Sequence, residues 1–223
     1  MRNATLLSLA FAAVAPGAFA GAFAAPLGFN TQLVVAADGT PVRAGKALVT
    51  HAGSGQYEVA FSSDLKTCAY VVTPGTSDTA VPTTAVATAV RKVGDRDTVV
   101  VSTYDNRGNA IDSGFHLIVH CQDTTSDGAA VVNSDGSLAR GILASSAARV
   151  GTGDYTVTFT NPNVAPFCAY TAAIGLSGTS GTEDPGLITV SQSGTAGAIE
   201  VRTYDTHAVQ ADRGFHVFAA CPR

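Results

Sequence analysis

The 223-residue sequence has no tryptophan, and charged side chains make up only 13% of it. Its positive residues are scattered, and only Arg91 and Lys92 are adjacent. Proteins that bind nucleic acid need a basic patch or stripe against the phosphates. The net charge of −4 points the other way. The sequence therefore predicts no nucleic-acid partner.

Long apolar runs are also lacking after the first two dozen residues. Arg2 precedes an apolar stretch that ends at Pro16, and small-residue sites follow at 18–20 and 22–24. This pattern is typical of a signal peptide, here residues 1–24 with cleavage after Ala24. An uncleaved anchor is disfavoured because the run falls short of the roughly 20 apolar residues that span a bilayer. We expect a secreted protein without a membrane span in its mature form.

The sequence contains an internal repeat. "VVAADGTPVRAG" at 34–45 recurs as "VVNSDGSLARGI" at 131–142, and "TYDNRGNAIDSGFH" at 103–116 recurs as "TYDTHAVQADRGFH" at 203–216. Self-similarity of this kind predicts one fold used twice. We place the first module at 25–123 and the second at 128–223, with a short polar junction between them.

Apolar and polar residues alternate in short segments that are separated by turn residues. In the segment around Tyr57, for example, Val59 and Phe61 fall on the same face as the tyrosine. Short strands with frequent turns predict an all-β fold, namely two tandem antiparallel β-sandwich modules, Ig-like or jelly-roll-like, of about seven strands each. No segment shows a helical period. In the first copy we expect strands near 32–36, 45–51, 56–62, 68–73, 85–92, 97–104 and 114–121.

The four cysteines allow three pairings. Each copy has one cysteine in a "CAY" motif and one in its last predicted strand, at the same separation. Pairing Cys68 with Cys121 and Cys168 with Cys221 makes each module self-contained, and an exported protein favours disulfides. A bridge closing such a loop contributes on the order of 3 to 4 kcal/mol. Reactive or metal-binding thiols are disfavoured because no C-x-x-C or Cys/His cluster is present.

The repeated "TYD…GFH" segment contains the strongest candidates for a catalytic, metal-binding or ligand-binding site. Aspartates in turns commonly bond to the local backbone, and we favour this interpretation. A cation site, a ligand-binding loop and catalysis remain alternatives. A calcium loop would need further oxygen ligands, so no metal site is assigned. The residues concerned are Asp105, Asp112 and His116 with their counterparts Asp205, Asp212 and His216.

Two tyrosines are further candidates for a contact surface. Tyr104 and Tyr204 alternate with the apolar residues Val101 and Val201 and face the other way, and tyrosine is enriched at interfaces. With the six Asp and His residues they form the predicted ligand surface. We assign no catalytic residue and no cofactor. The absence of a G-x-S-x-G motif lowers the odds of a serine hydrolase, although a Ser-His-Asp triad can be assembled without that motif. His51 and His207 are interpreted as surface residues, because Arg149 and Arg107 stand at the equivalent positions of the other copy.

The pattern "VVxxDG…R…GxYxVxF…CAY…VxTYD…DxGFHxxxxC" resembles a repeat of secreted, uncharacterised actinobacterial proteins. The resemblance covers nearly the whole mature chain. It implies the disulfide-bonded β-sandwich fold and export, and it implies no activity.

The functional hypothesis is a secreted, non-catalytic protein that acts by extracellular binding or by surface and structural assembly. A cell-surface glycan or protein is the partner to consider. A carbohydrate-binding module and a secreted hydrolase with a loop-borne Asp/His site are the alternatives.

Overall fold

A computed structural model describes residues 30–77, 85–121, 127–178 and 183–222. The predicted signal peptide, residues 1–24, lies outside the described residues. So do residues 122–126 at the predicted junction. We call residues 30–121 the N-terminal half and residues 127–222 the C-terminal half.

Strands dominate the described residues, with eight in each half. The N-terminal half contains β1 (Asn30–Val35), β2 (Pro41–Arg43), β3 (Leu48–Gly53), β4 (Gln56–Ala60), β5 (Ala69–Pro74), β6 (Val86–Arg91), β7 (Thr98–Tyr104) and β8 (Phe115–His120). The C-terminal half contains β9 (Gly128–Val132), β10 (Leu138–Ile142), β11 (Ala144–Gly151), β12 (Asp154–Phe159), β13 (Ala169–Ile174), β14 (Leu187–Gln192), β15 (Ala198–Tyr204) and β16 (Phe215–Ala220), with the short helix α1 (Val164–Phe167) before β13.

The strands form three sheets. The first sheet has the order β2-β1-β8-β5, and the third has the order β11-β12-β15-β14. The second sheet, which we call the central sheet, contains strands of both halves. Its eight strands have the order β10-β9-β16-β13-β6-β7-β4-β3. The order β2-β1-β8-β5 thus recurs as β10-β9-β16-β13, and β6-β7-β4-β3 recurs as β14-β15-β12-β11.

Each half buries its own apolar core between two layers of strands. In the N-terminal half Leu33 and Leu117 of the first sheet share a core with Val59 and Val101 of the central sheet. In the C-terminal half the central and third sheets enclose an equivalent core, which includes Tyr155, Ile199, Phe215 and Val217. This is an all-β sandwich fold, as the alternation predicts.

The two disulfides are those predicted. Cys68 bonds Cys121 and Cys168 bonds Cys221, each across 53 positions. In each case the bridge ties the start of a strand, β5 or β13, to the end of the adjacent β8 or β16. The disulfides therefore clamp neighbouring strands of one sheet.

Some elements differ from the sequence prediction. The prediction missed β2, a three-residue strand that follows the turn residues "ADGT" and pairs with β1. Each half therefore has eight strands where about seven were expected. The helix α1 is a single turn of four residues, too short to give a helical period.

The largest difference concerns the junction of the halves. The sequence predicts antiparallel sandwich modules, but β6 of the N-terminal half pairs in parallel with β13 of the C-terminal half at Thr88 and Ile174. The central sheet therefore runs through both halves. Within the residues that the structure describes, no helix is long and apolar enough to cross a membrane.

Candidate functional site

Asp105 and Asp205 lie in equivalent turns and bond to them. Asp105 Oδ1 accepts hydrogen bonds from the backbone N–H of Arg107 and of Asn109, both at 2.8 Å. Asp205 Oδ1 accepts from the N–H groups of His207 and Val209. Hydrogen bonds from the Asn109 side-chain amide and from these N–H groups lower the pKa of Asp105. For Asp205 the hydrogen bond from the Val209 N–H is the largest cause of the lowered pKa. Both carboxylates are therefore engaged in hydrogen bonds within their own turns.

Asp112 and Asp212 reach a different place, the preceding hairpin. Asp112 Oδ1 accepts from the Gly55 N–H at 2.6 Å and lies 2.9 Å from His51 Nε2. The Gly55 N–H and then His51 lower the pKa of Asp112. This carboxylate therefore fastens the loop before β8 to the β3–β4 turn.

In the C-terminal half an arginine replaces the histidine in this contact. Asp212 Oδ1 accepts from Arg149 Nε and from the Gly153 N–H, both at 2.7 Å, and the Arg149 guanidinium is the main reason for its lowered pKa. Arginine can hold a carboxylate but cannot exchange protons near neutral pH. The interchange of His51 and Arg149 therefore indicates a structural role. The sequence interpretation of His51 as a surface residue missed this partnership, although its alignment with Arg149 was the available signal.

Tyr104 and Tyr204 end their strands and are half-buried. Tyr104 pairs with Val86 and, across the turn, with Ala110. Tyr204 pairs in the same way with Leu187 and Gln210. Each tyrosine thus belongs to a strand end beside the Asp105 or Asp205 turn.

An acidic pair missed by the sequence analysis lies before β7. Asp95 and Asp97 both approach Thr98 Oγ1. The hydrogen bond from Asp97 lowers the pKa of Asp95, whereas burial and the Asp95 charge raise that of Asp97. Thr195 and Gly197 stand at the equivalent positions of the C-terminal half, so the pair belongs to one turn only.

His116 and His216 occupy equivalent positions with very different surroundings. His116 Nε2 lies 3.1 Å from the Thr76 carbonyl oxygen, and His216 Nε2 lies 3.1 Å from that of Leu176. His116 is exposed, whereas His216 is fully buried. Its Nδ1 accepts a hydrogen bond from the Tyr70 N–H at 2.9 Å.

The tautomer of His216 follows from its two bonds. A ring nitrogen that accepts from an N–H carries no proton, so Nδ1 is bare and Nε2–H donates to the Leu176 carbonyl. Burial, and secondarily the positive charge of Arg140, lower the pKa of His216 to about 3. The imidazole is therefore neutral at all ordinary pH values and acts as a connector between the halves.

Arg140 makes the second polar contact between the halves. Its Nε donates to the Cys68 carbonyl oxygen at 2.8 Å, and its guanidinium carbon lies 5.6 Å from the centre of the Tyr70 ring. Its Nη1 donates to the Ser177 carbonyl oxygen at 2.6 Å. Burial lowers the pKa of Arg140, which still remains charged because arginine titrates so high.

These contacts define a surface that we call the covered face, the outer side of β9, β10 and β16. Residues 67–70 of the N-terminal half lie over it, and Phe218 packs there against the ring of His120. The contact region leaves no water-sized space. The covered face consists of Ala129, Val131, Arg140, Ile142, His216 and Phe218.

Among the described residues, no segment equivalent to 67–70 lies over the corresponding surface of the first sheet, which we call the open face. Val34 pairs with Arg43 and His116 just as Val131 pairs with Arg140 and His216. A groove of about 470 Å³ runs over it. The open face consists of Gln32, Val34, Arg43, Gly45, His116 and Ile118.

The structure thus separates the residues that the sequence analysis grouped. Asp105 bonds its own turn, Asp112 bonds the β3–β4 turn, and His116 belongs to the open face. None of these three side chains bonds to another of the three. In the described residues no cluster of three or more His, Cys, Asp or Glu side chains could hold a metal ion.

The fold and its bridges define the class of protein, an all-β sandwich with one disulfide in each half. Comparisons with protein-family models, with curated proteins and with solved structures found no match. The two disulfides are compatible with an extracellular protein.

Proposed function

We propose that this chain is an exported, non-catalytic protein that acts by extracellular binding or surface assembly through the open face. One observation carries the proposal. Residues equivalent to the open face already form a binding surface in the same molecule, because the covered face holds residues 67–70. The open face retains the same arginine and histidine beside an unfilled groove.

The chemistry of the groove suits a polypeptide ligand. Ile118 supplies exposed apolar area, while Arg43 can donate to and His116 can donate to or accept from backbone groups. On the covered face the same two residue types bond a carbonyl oxygen and an N–H. A protein surface with a free strand edge offers both groups.

The hydrolase alternative receives less support. Asp112 and Asp212 have equivalent bonds to glycine N–H groups, and their third partner is a histidine in one half and an arginine in the other. An effective general base has a pKa near the working pH, whereas the bonds to Asp112 and Asp212 hold the pKa values of both carboxyls below their ordinary range. We therefore assign these aspartates to folding.

The carbohydrate alternative is tested together with the main proposal. Purified chain starting at Ala25 is applied to a glycan array and to cell-wall material, and retention is compared among His116→Ala, Ile118→Asp and the double variant Tyr104→Ala, Tyr204→Ala. The proposal expects retention on cell-surface material that is lost in the first two variants and kept in the third.

Loss of binding only in the tyrosine double variant, with glycans bound on the array, would favour the carbohydrate module instead. Absence of retention on every surface, together with no self-association, would contradict the proposed function. Export is checked separately by sequencing the N-terminus of the secreted chain, which should begin at Ala25.

A further inference from the structure

The contact between the two halves joins two different surfaces. The N-terminal half contributes residues 67–70, at the start of the edge strand β5, and the C-terminal half contributes the covered face. A contact between unlike surfaces leaves one unused copy of each when only two halves are present. The unused surfaces are the open face and the start of β13, which precedes the pairing of this strand with β6 at Ile174.

The start of β13 matches the start of β5 in its register with the neighbouring strand. Tyr170 stands opposite Ala219 as Tyr70 stands opposite Val119, and each strand follows a disulfide-bonded cysteine. Residues 167–170 therefore correspond to residues 67–70. We call residues 167–170 the free edge segment.

Burial shows which of the two segments lacks a cover. Cys68, Ala69 and Tyr70 are all buried, with at most 3% of their surface exposed. In the free edge segment Ala169 is exposed and Tyr170 is only half-buried. Phe167 and its counterpart Thr67 are both exposed, so the difference in burial lies in the three residues that follow them.

The two unused surfaces differ from their counterparts in side-chain size. One has a larger side chain than its counterpart, and the other has a smaller one at the position that would face it. On the covered face Thr67 lies in the same contact region as Ile142, a small residue beside a large one. Phe167 replaces this threonine in the free edge segment, and Gly45 replaces the isoleucine on the open face. A Cβ on Gly45 would meet no atom within 4 Å, so the open face has room where Phe167 would arrive.

We propose that the open face binds the free edge segment of a second copy of this chain, so that copies associate head to tail. In this contact Arg43 donates to the Cys168 carbonyl oxygen and His116 Nδ1 accepts from the Tyr170 N–H, as Arg140 and His216 do within one chain. Phe167 fills the space above Gly45. Because the surfaces are unlike, every added copy leaves one of each unused, and the association continues beyond a dimer.

The inference rests on the proposed function, since it names a second copy as the partner of the open face. Within one chain the equivalent contact is helped by the short junction, which gives an effective concentration on the order of millimolar. Contacts between separate chains lack this help. We therefore measure sedimentation velocity of the mature chain, from Ala25, between about 10 µM and about 1 mM.

The expected result is a concentration-dependent series of species larger than a dimer. Ile118→Asp blocks the open face, and Phe167→Asp blocks the free edge segment. Each should weaken association at least tenfold. Val93→Asp is the matched control, because Val93 is 64% exposed and lies in a turn away from both surfaces, and it should associate like the unsubstituted chain. Intact disulfides and an unchanged circular dichroism spectrum verify folding of each variant.

A mixture of the two blocked variants is the sharpest test. Ile118→Asp keeps its free edge segment and Phe167→Asp keeps its open face, so together they should form a one-to-one dimer and nothing larger. A chain that is monomeric up to about 1 mM would overturn the inference. A dimer of either blocked variant alone, or a mixture that stays monomeric, would overturn it equally.

These outcomes are separable from failure of the proposed function. A chain that does not self-associate but is retained on cell-surface material through Ile118 refutes the second copy as partner and keeps the binding role. If Arg43→Glu, a variant at an exposed position, leaves association unchanged, the head-to-tail geometry is wrong even where copies do associate.

Discussion

At the scale of single residues, the same side chain at equivalent positions of the repeat can have different burial and different hydrogen bonds. His116 and His216 occupy the same place in the repeat and make the same bond to a carbonyl oxygen. Only His216 is buried, and only His216 accepts a second bond, from Tyr70. Burial of a polar ring requires that both nitrogens be bonded, and here they are.

Replacement of His216 by alanine tests this difference. The variant leaves the Tyr70 N–H without its acceptor and creates a cavity between the halves, so we expect a loss of about 2 to 4 kcal/mol in the free energy of unfolding. His116→Ala, measured by the same urea titration, should lose less than about 1 kcal/mol because its site is exposed. Equal losses in the two variants would contradict the assigned role of His216.

The pKa of His216 also predicts how stability depends on pH. Its value of about 3 in the folded protein lies below the 6.5 of an unperturbed histidine. Between pH 3 and pH 6.5 this histidine is protonated in the unfolded chain but neutral in the folded protein. The contribution of buried His216 to the free energy of unfolding is therefore fully present above pH 6.5 and is lost as the pH falls towards 3. The slope can reach about 1.4 kcal/mol per pH unit. Urea unfolding between pH 7 and 5 should show this decline, and His216→Gln should flatten it.

The opposite trend, greater stability at pH 5 than at pH 7, would contradict burial of a neutral imidazole. The range stops at pH 5 because the aspartates with lowered pKa values, such as Asp112 and Asp212, titrate below their ordinary range. Their contribution is lost only at lower pH.

At the scale of elements, the last loop of each half is fixed by the hairpin before it. Gly55 has a φ of +64°, donates its N–H to Asp112, and accepts a bond at its carbonyl from the Thr103 N–H. Gly153 does the same with Asp212 and Thr203. The sequence predicts turns at these glycines, but the loop that contacts each of them is distant in the chain.

Alanine at Gly55 should be costly for two reasons. A side chain strains the left-handed backbone by about 1 to 2 kcal/mol, and its Cβ would also meet backbone atoms of Thr103 and Ile111. We expect a total loss of about 2 to 5 kcal/mol in thermal or urea unfolding. Gly94→Ala isolates the first cause, because Gly94 has a φ of +73° with no atom within 4 Å of a Cβ. If both variants lose the same stability, the close approach at Gly55 is not present in solution.

At the scale of the whole molecule, the halves are joined by backbone and side-chain contacts. The central sheet continues from β6 to β13, and the edge of β5 lies on the covered face. An unprotected strand edge tends to pair with other chains, and burial removes that tendency for β5. The free edge segment has no such protection in the described residues.

Arg140→Ala should loosen the contact between the halves without unfolding either core. The change removes the donors to the Cys68 and Ser177 carbonyl oxygens, so the Tyr70 amide should exchange hydrogen for deuterium at least tenfold faster. The amide of Val101 in β7 should exchange at its original rate. Arg43→Ala is the matched control at the equivalent position of the open face, and acceleration at Tyr70 in that variant would contradict the assignment.

The sequence by itself determined most of the strands, the disulfide pairing and the turn role of Asp105. These depend on neighbours along the chain and on a repeat that brings equivalent cysteines together. Alternation of Tyr57, Val59 and Phe61 predicts a strand buried on one face, and all three are buried. The short β2 escaped prediction because three residues beside a turn give no period.

Only the tertiary structure decided which copies of identical motifs are covered. His216, Arg140 and Tyr70 meet although Tyr70 and His216 are 146 positions apart, and no local pattern distinguishes them from His116, Arg43 and Tyr170. The physical reason is that contact between unlike surfaces is a property of the assembled halves. Two copies in one chain leave one such face and one such strand start unmatched.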